Sequence, residues 1–182
     1  RRYGSGRRFI PGRVPIHERP PIVAERLRFG DWEGDTLEGG KGSGGLATLV
    51  ERKSRYLIAA KLADKKASTM TCESTACFRK VPKRLCTTLT VDNGKEFSRF
   101  KDIEARTGLT VYFADPYSAW QRGTNENTNG IIRFYFPKGT DFRRIPEKEV
   151  ALVVKKLNNR PRKCLNYQTP SEVFRQALGG AL

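Results

Sequence analysis

The sequence has few of the residues that build zinc sites or disulfide frameworks. Its single histidine, His17, lies far along the chain from all four cysteines, and no two cysteines form a C-x-x-C pair. Because structural zinc sites need closely spaced thiolate and imidazole ligands, we expect no zinc module. A chain long enough to bury its own core also has little need of disulfides, so reduced thiols in a cytosolic protein are expected.

Long hydrophobic runs are also absent. The longest apolar segments, such as LATLV (46–50) and YLIAA (56–60), fall well short of the roughly 20 residues that cross a bilayer. The start of the chain carries no charged-then-apolar signal segment. We therefore expect no membrane partner, and a first residue of Arg1 rather than Met suggests part of a longer protein.

Acidic residues are scarce relative to basic ones. The chain has 35 Lys and Arg against 19 Asp and Glu, a formal net charge of +16. Clustered basic residues gain affinity for polyanions by releasing counterions from phosphates, which favours a nucleic-acid partner. A ribosomal-type protein and a merely soluble basic surface are the alternatives, because charge alone does not select an activity.

The chain has the length of one ordinary domain, 182 residues, and divides by composition into two parts. Residues 1–28 are rich in Arg, Pro and Gly and have no sustained periodicity, which predicts a basic linker or arm. That segment is either a solvated tail or an arm that contacts DNA. Residues 29–182 have the patterning of a folded core.

Periodicity and turn residues predict the elements of this core. Three strands are expected at 31–38, 46–52 and 55–62, then a helix at 66–80, a strand at 86–91, a helix at 94–108 and a strand at 109–114. A helix with an apolar stripe around Ile131 and Phe136 follows, then one at about 146–158 and a short last helix opened by the capping box of Thr169 and Glu172. The order β-β-β-α-β-α-β-α-α is that of the ribonuclease H-like fold, an α/β architecture in which helices cover both faces of a five-stranded mixed sheet.

Three acids stand where predicted elements meet loops. Asp35 lies in the first strand, Asp92 ends the fourth, and Glu126 lies near the start of a helix. Strand ends in an α/β sheet are where sites are usually built, and three converging carboxylates require cations. Oxygen ligands suit Mg²⁺ or Mn²⁺. Alternatively, Asp92 is a turn residue of its Asp-Asn-Gly segment and Glu126 stabilises a helix dipole.

The stretch GDWEGDT (30–36) holds three acids at alternate positions. In a strand, Asp31, Glu33 and Asp35 therefore point to one face of the sheet. The alternation of side chains along a strand does not by itself show which of the three acids is a metal ligand.

Four longer segments carry a family resemblance. WEGDT, TVDNGKEF, DPYSAWQRGTNENTNGIIRFYFPKGTDF and LNNRPRKCLNYQTPSEVF resemble the catalytic domain of the IS30 family of bacterial insertion-sequence transposases, within the DDE transposase and retroviral integrase superfamily. The resemblance runs from about residue 25 to 176. It includes the 33 residues that separate Asp92 from Glu126.

The resemblance implies a catalytic mechanism and a set of partners. Asp35, Asp92 and Glu126 would be the catalytic residues and the ligands of two Mg²⁺ ions, which Mn²⁺ can replace. The enzyme would cleave DNA at the ends of the element and join the freed 3′-OH to target DNA, without a small-molecule substrate. It would act as a homo-oligomer on DNA in the bacterial cytoplasm, associated with the nucleoid.

Further residues are assigned around this triad. Arg133 lies seven positions after Glu126 and so shares its helix face, which places it at DNA beside the metals. Within GDWEGDT the resemblance selects Asp35 as the metal ligand. Glu33 is expected to influence the charge of the site without binding the metal directly, and Asp31 to be a solvated residue at the start of the strand. Candidate DNA contacts, each with a solvated surface position as the alternative, are Lys95, Arg122, Asn125, Asn127, Lys138 and Arg143.

One feature limits the activity that can be expected of this chain. Nothing before Asp31 resembles the helix-turn-helix region with which family members recognise the ends of their element. The alternatives to a transposase are a ribonuclease H-like nuclease that cuts without joining, and an inactive, domesticated DNA-binding remnant.

Overall fold

The computed structural model describes residues 10–179, and within them the chain forms six strands and six α-helices. The strands are β1 Val14–Pro15, β2 Asp31–Glu38, β3 Gly45–Glu51, β4 Leu57–Leu62, β5 Thr88–Val91 and β6 Thr110–Phe113. The helices are α1 Ile22–Glu25, α2 Ala67–Phe78, α3 Phe100–Thr107, α4 Gly123–Tyr135, α5 Glu147–Asn158 and α6 Pro170–Ala177.

The strands form one mixed sheet in the order β1-β6-β5-β2-β3-β4. β2, β3 and β4 are antiparallel neighbours, whereas β5 pairs parallel to β2, β6 to β5 and β1 to β6. This arrangement confirms the predicted α/β, ribonuclease H-like architecture. The strand count is six rather than five, because β1 has two residues and is too short to produce a periodic signal.

Residues 10–28, most of the segment predicted as a basic linker or arm, pack against the core. Val14 pairs with Tyr112 of β6, and the side chains of Ile16 and Val23 are buried. The Arg, Pro and Gly composition excluded long regular elements but did not exclude packing against the core. Residues 1–9 of the predicted arm lie outside the described residues.

Local sequence signals explain several element ends. The helix predicted at 94–108 is divided into a 3₁₀ turn at Lys95–Phe97 and α3, which ends at Gly108 with a φ of 79°. Such a left-handed residue commonly ends a helix, and glycine adopts it without strain. At α6, the Thr169 hydroxyl accepts from the Glu172 backbone N–H, and the Glu172 carboxylate accepts from the Thr169 N–H, as the capping box requires.

Strand alternation gives the sheet two different faces. On the first, which we call the apolar face, Trp32, Leu49 and Leu89 pack into a core with residues of α2 and α3. On the second, the site face, Leu37, Leu46 and Val50 form a smaller core with α4 and α5. The rest of the site face is polar and carries the acids and threonines Asp31, Glu33, Asp35, Thr88, Thr90 and Asp92.

Among the helices of residues 10–179, none has both the length and the apolar character needed to cross a bilayer.

Candidate active site

Asp35 and Asp92 meet on the site face because their strands are parallel neighbours. The register pairs Glu33 with Thr90, so two residues further on Asp35 lies level with Asp92. One guanidinium joins them: Arg122 Nη1 lies 3.0 Å from Asp35 Oδ2, and Nη2 lies 3.6 Å from Asp92 Oδ2. The two acids thus form one charge cluster at the start of α4.

Arg122 is not the surface phosphate contact that the sequence predicted. It is 9% exposed and also donates to the Gly34 carbonyl oxygen at 3.3 Å. A buried guanidinium between two carboxylates supplies positive charge that offsets part of their negative charge. Arg122 therefore supplies positive charge at the place where a bound metal cation would supply it.

Burial raises the pKa of Asp35 above its usual range. Arg122 opposes this shift, and the nearby negative charge of Asp92 raises the pKa further. A carboxyl group with these surroundings is stabilised in its charged form by additional positive charge.

Each of the three β2 acids on the site face contacts an arginine. Arg28 donates to both oxygens of Asp31 at 2.8 and 3.0 Å, and Asp31 also accepts from the Thr88 hydroxyl. Asp31 is only 1% exposed, which corrects its assignment as a solvated residue. The pairing makes this end of β2 electrically neutral.

Glu33 is fully buried and pairs with Arg52 at 2.5 Å. Its other oxygen accepts from the Asn125 backbone N–H at 2.8 Å. Since both carboxylate oxygens are engaged away from Asp35, Glu33 does not tune the acid cluster as expected. It fixes the start of α4 instead, where a negative charge also interacts favourably with the helix dipole.

Asp35 differs from these two acids in its charge balance. Its arginine is shared with a second carboxylate, so one positive charge serves Asp35 and Asp92 together. Their side chains are also the more open ones, 23% and 38% exposed against 1% for Asp31 and 0% for Glu33. The surplus negative charge and the access both single out Asp35 as the β2 acid suited to a cation.

Asn125 attaches α4 to the sheet. Its Nδ2 donates to the Glu33 and Thr48 carbonyl oxygens at 2.9 and 3.0 Å, and its Oδ1 accepts from the Thr48 hydroxyl at 3.0 Å. The residue is 0% exposed, so no part of its amide is left for DNA. This corrects the prediction of a DNA contact and leaves Asn125 the role of holding α4 over β2 and β3.

Glu126 is exposed on α4, one turn before Asn129. Asn129 donates to Asp35 Oδ2 at 3.2 Å, and one turn further Arg133 donates to the Glu38 carbonyl oxygen at 2.7 Å. The flank of α4 that carries Glu126 therefore borders the second half of β2. Within residues 10–179, however, no three His, Cys, Asp or Glu side chains stand close enough to enclose a metal ion.

The donor groups around Asp35 fit a hard divalent cation. Asp35 and Asp92 offer carboxylate oxygens, and the buried Asn129 Oδ1 has no hydrogen-bond partner in the described structure. An unpaired buried acceptor beside two carboxylates is the chemistry that Mg²⁺ uses. Asp92 Oδ1 also accepts a hydrogen bond from the Gly94 N–H at 2.9 Å, so Asp92 stabilises the Asp-Asn-Gly turn as well.

The remaining predicted DNA contacts are spread over the surface. Lys95, Asn127 and Lys138 are exposed, and Arg143 is exposed but held by Asp141 at 2.9 Å. None of these positions tests a DNA contact, so the assignments stay predictions.

Sequence reasoning missed Arg52, and it did not predict that Asn129 donates to Asp35. The parity of β2 could have indicated a buried cation, because a carboxylate buried at Glu33 requires one. No local signal identifies which arginine supplies it, since Arg52 follows β3 and meets Glu33 only across the sheet.

Comparisons with known proteins identify a family and several relatives. The family model described as integrase core domain matches residues 27–119. The transposase of insertion sequence IS4351 from Bacteroides fragilis is 46% identical over 174 residues, which cover 96% of this chain and 53% of that protein. Transposase InsI of IS30A from Escherichia coli K12 is 46% identical over 91% of this chain and 43% of its own length.

Solved structures resemble the fold at lower identity. The catalytic core domain of BIV integrase gives a TM-score of 0.59 at 18% identity, covering 84% of this chain and 97% of that one. A chain of the simian T-cell lymphotropic virus intasome, in complex with PP2A regulatory subunit B56 gamma, gives 0.62 at 19%, covering 80% and 54%.

The present chain spans about half the length of the curated relatives it matches. The family model nevertheless covers just over half of its residues, and the relatives confirm the resemblance to IS30-family transposases. On these grounds the chain belongs to the integrase core domain family.

Proposed function

We propose that this chain is the catalytic domain of a DDE transposase, which cleaves DNA at the ends of an insertion sequence and joins the freed strand to target DNA. The observation that carries the proposal is the convergence of Asp35 and Asp92 on one shared arginine at the start of α4. The IS30-type relatives are transposases of insertion sequences, and the integrase core match over residues 27–119 of this chain includes both acids.

Asp35, Asp92 and Glu126 would hold two Mg²⁺ ions, which Mn²⁺ can replace. When bound, the ions would supply Lewis-acid stabilisation of charge on the scissile phosphate and its attacking and leaving oxygens. Asp35 lies in β2 and Asp92 directly follows the adjacent strand β5, whereas Glu126 lies on the exposed flank of α4. Glu33 and Asn125 fix the start of that helix relative to β2 and so position Glu126 along the edge of the site.

The chemistry would proceed by two displacements at phosphorus. Water attacks the phosphodiester at the element end, the P–O bond to the 3′ oxygen breaks, and a 3′-OH is released. That 3′-OH then attacks a phosphodiester of target DNA and displaces its 3′ oxygen. Because water and the 3′-OH are the nucleophiles, the chain forms no covalent bond to DNA.

Positive charge around the acids would hold the DNA backbone. Arg133 borders the second half of β2, and candidate contacts further out are Lys95, Asn127, Lys138 and Arg143. Tyr117 and Trp120, in the loop before α4, are 78% and 73% exposed and are available to stack on an unpaired base. Two copies of the protein would pair the two ends of the element, and the reaction would take place at the nucleoid in the cytoplasm.

The test is a cleavage assay with the full-length protein, Mg²⁺ and labelled DNA that carries the terminal repeats of the element. We expect Asp35→Asn, Asp92→Asn and Glu126→Gln each to lower cleavage on the order of 10³-fold or more. Glu147→Gln, at an exposed position of α5, is the matched control and should cleave as the wild type does.

Full cleavage by Asp92→Asn would refute the assignment of the site. A second readout, joining of the labelled 3′ end to target DNA, separates a transposase from a nuclease that only cuts. Wild-type protein that binds DNA but neither cuts nor joins it would be the inactive remnant.

A further inference from the structure

Two arginines near the start of α4 have a backbone conformation that arginine rarely adopts. Arg26, which follows α1, has a φ of 58°, and Arg55, in the turn between β3 and β4, has a φ of 64°. Glycine and asparagine occupy this left-handed region at lower cost. Retaining arginine at both positions is a local strain, and such strain commonly accompanies a binding role.

Arg55 lies on the site face, on the side of α4 away from Asp92, and Arg26 lies near enough to Arg55 and Arg52 for their charges to repel. Arg55 donates to the Thr124 hydroxyl of α4 at 2.7 Å, from the β3–β4 side of the helix. Asp92 follows β5, which lies on the other side of β2 in the sheet. Arg52 connects the two arginines, since it precedes Arg55 by three residues and donates to the Val23 carbonyl oxygen of α1 at 3.1 Å.

The surrounding carboxylates are already neutralised. Asp31 pairs with Arg28 and Glu33 with Arg52, whereas neither Arg26 nor Arg55 forms an ion pair with a carboxylate of residues 10–179. The Nε atoms of Arg26 and Arg55 are buried and lack a hydrogen-bond partner in that part of the chain. Positive charge is therefore concentrated here, and the nearby carboxylate that partly offsets Arg26, Glu33, is already paired with Arg52.

The electrostatics of Arg26 reflect this imbalance. Burial lowers its pKa, and repulsion from Arg55 and Arg52 lowers it further. Partly buried charges are normally paired, so an anion bound here would remove an unfavourable arrangement. Both side chains remain partly exposed and can reach a ligand from solvent.

We propose that Arg26 and Arg55 form a phosphate-binding site for the backbone of a DNA strand, across α4 from Asp35 and Asp92. The planar guanidinium presents paired donors that match the oxygens of a phosphate. A backbone contact of this kind fixes the position of DNA without reading its sequence. The choice of DNA as the ligand rests on the proposed function, whereas the site itself rests on the charge and geometry of the two arginines.

The experiment measures how the affinity of the full-length protein for a fluorescent DNA duplex depends on salt. In the double variant Arg26→Asn with Arg55→Asn, the slope of log K against log salt should fall in magnitude by about 1, the value for one lost phosphate contact. The melting temperature should not fall, because asparagine tolerates the left-handed backbone and the repulsion is removed. The control, Arg79→Gln with Arg106→Gln, removes the same charge from exposed positions directly after α2 and within α3, and should leave the slope unchanged.

Three results would overturn the proposal. An unchanged slope in the double variant means that no phosphate contact was lost, and an equal fall in the control means that the charge acts diffusely. If inorganic phosphate stabilises the wild type but not the double variant while the DNA slope is unchanged, the site binds a free anion. If the double variant folds poorly, the single variant Arg26→Asn replaces it, because this change breaks no described hydrogen bond or ion pair. The salt dependence of its DNA affinity then tests the proposal in the same way.

The cleavage assay keeps this result separate from the proposed function. Wild-type cleavage together with unchanged DNA binding by the arginine variants rejects only the phosphate site. Asp92→Asn should bind DNA with the wild-type slope while failing to cleave, because its carboxylate lies on the other side of α4.

Discussion

Trp32 and Glu33 are adjacent in β2 and both 0% exposed, yet they are buried in opposite chemical surroundings. Trp32, on the apolar face, packs edge-to-face against Phe78 and Phe174. Glu33, on the site face, is held by Arg52 and the start of α4. The apolar face gains stability from area removed from water, whereas the site face depends on individual partners that satisfy each charge.

This difference separates stability from function within one sheet. The acids of β2 are accommodated on the site face because arginines from three other segments neutralise them. Only at Asp35 is the neutralisation incomplete, and there the charge surplus provides a place for a cation. The apolar face carries one buried carboxylate, Glu51, which accepts hydrogen bonds from the backbone N–H groups of Gly30 and Ser54 and from the Ser54 hydroxyl. The rest of this face is apolar and serves as the rigid support.

The largest expected effect on stability is that of Glu33→Gln. We expect the free energy of unfolding to fall by about 3–5 kcal/mol, because Arg52 would remain buried without a counter-charge. Urea denaturation measures the change. Trp32→Ala should cost a similar amount, about 3–5 kcal/mol, through a cavity on the apolar face.

A double variant tests whether the loss at Glu33 comes from the unpaired charge of Arg52. Replacing the whole pair, Glu33→Leu with Arg52→Met, should recover much of the loss because no unpaired charge remains. If Glu33→Gln cost less than about 1 kcal/mol, the site face would not depend on paired charges and the comparison would fail.

Asn125→Ala should have the next largest effect. Its loss leaves the Glu33 and Thr48 carbonyl oxygens without this partner, at a cost of about 1–3 kcal/mol. Cleavage should fall as well, because α4 would no longer be held in place. The control is Asn127→Ala, an exposed neighbour expected to change stability by less than about 0.5 kcal/mol; equal effects of the two variants would contradict the assignment.

Arg122→Gln tests the acid cluster directly. Removing the shared guanidinium should raise the affinity for Mn²⁺ about 10-fold, or about 1.4 kcal/mol, because the ion no longer competes with a resident positive charge. Calorimetric titration of the protein without DNA measures this affinity. The control is Arg133→Gln, because Arg133 lies within 4 Å of no carboxylate of residues 10–179; this variant should leave the Mn²⁺ affinity unchanged. Weaker Mn²⁺ binding by Arg122→Gln would contradict the prediction and would indicate that Arg122 holds the two carboxylates in place.

The smallest expected effect concerns the thiols. Burial raises the pKa of Cys77 and of Cys86 to about 11, and both lie in the core of the apolar face. At pH 8 the exposed Cys72 and Cys164 should react with a disulfide reagent at least about 10-fold faster than these two.

The same shift predicts a change of stability at high pH. Because the folded state binds the thiol protons more tightly than the unfolded state, stability should fall as the pH rises from about 9 toward about 11. Thermal melts across this range measure the fall, and Cys77→Ala with Cys86→Ala should reduce it. Equal labelling of all four thiols would mean that the apolar face is not closed.

Patterns that depend on near neighbours were predictable. The strand at 31–38 has the predicted bounds, and the capping box of α6 forms as its sequence indicates. Both are fixed by interactions over a few residues. The segment 10–28 was not predictable in this way, because a two-residue strand and a one-turn helix depend on the surface against which they pack.

The candidate site was predictable only in part. Asp35, Asp92 and Glu126 were predicted from their places in the element order and from the family resemblance, and their roles stay predictions. Arg122 and Asn125 were assigned to DNA because polar residues beside a site ordinarily face solvent, whereas both are buried. Burial depends on how α4 packs on β2 and β3, and no local pattern records it.

The sequence by itself determined the order of the elements and, through strand parity, that Asp31, Glu33 and Asp35 share one face. Only the tertiary structure decided which arginine meets which acid, because those partners come from before β2, after β3 and before α4. Parity fixes the direction of a side chain but not the neighbour it meets. The charge surplus that distinguishes Asp35 from Glu33 therefore arises only when distant segments pack together.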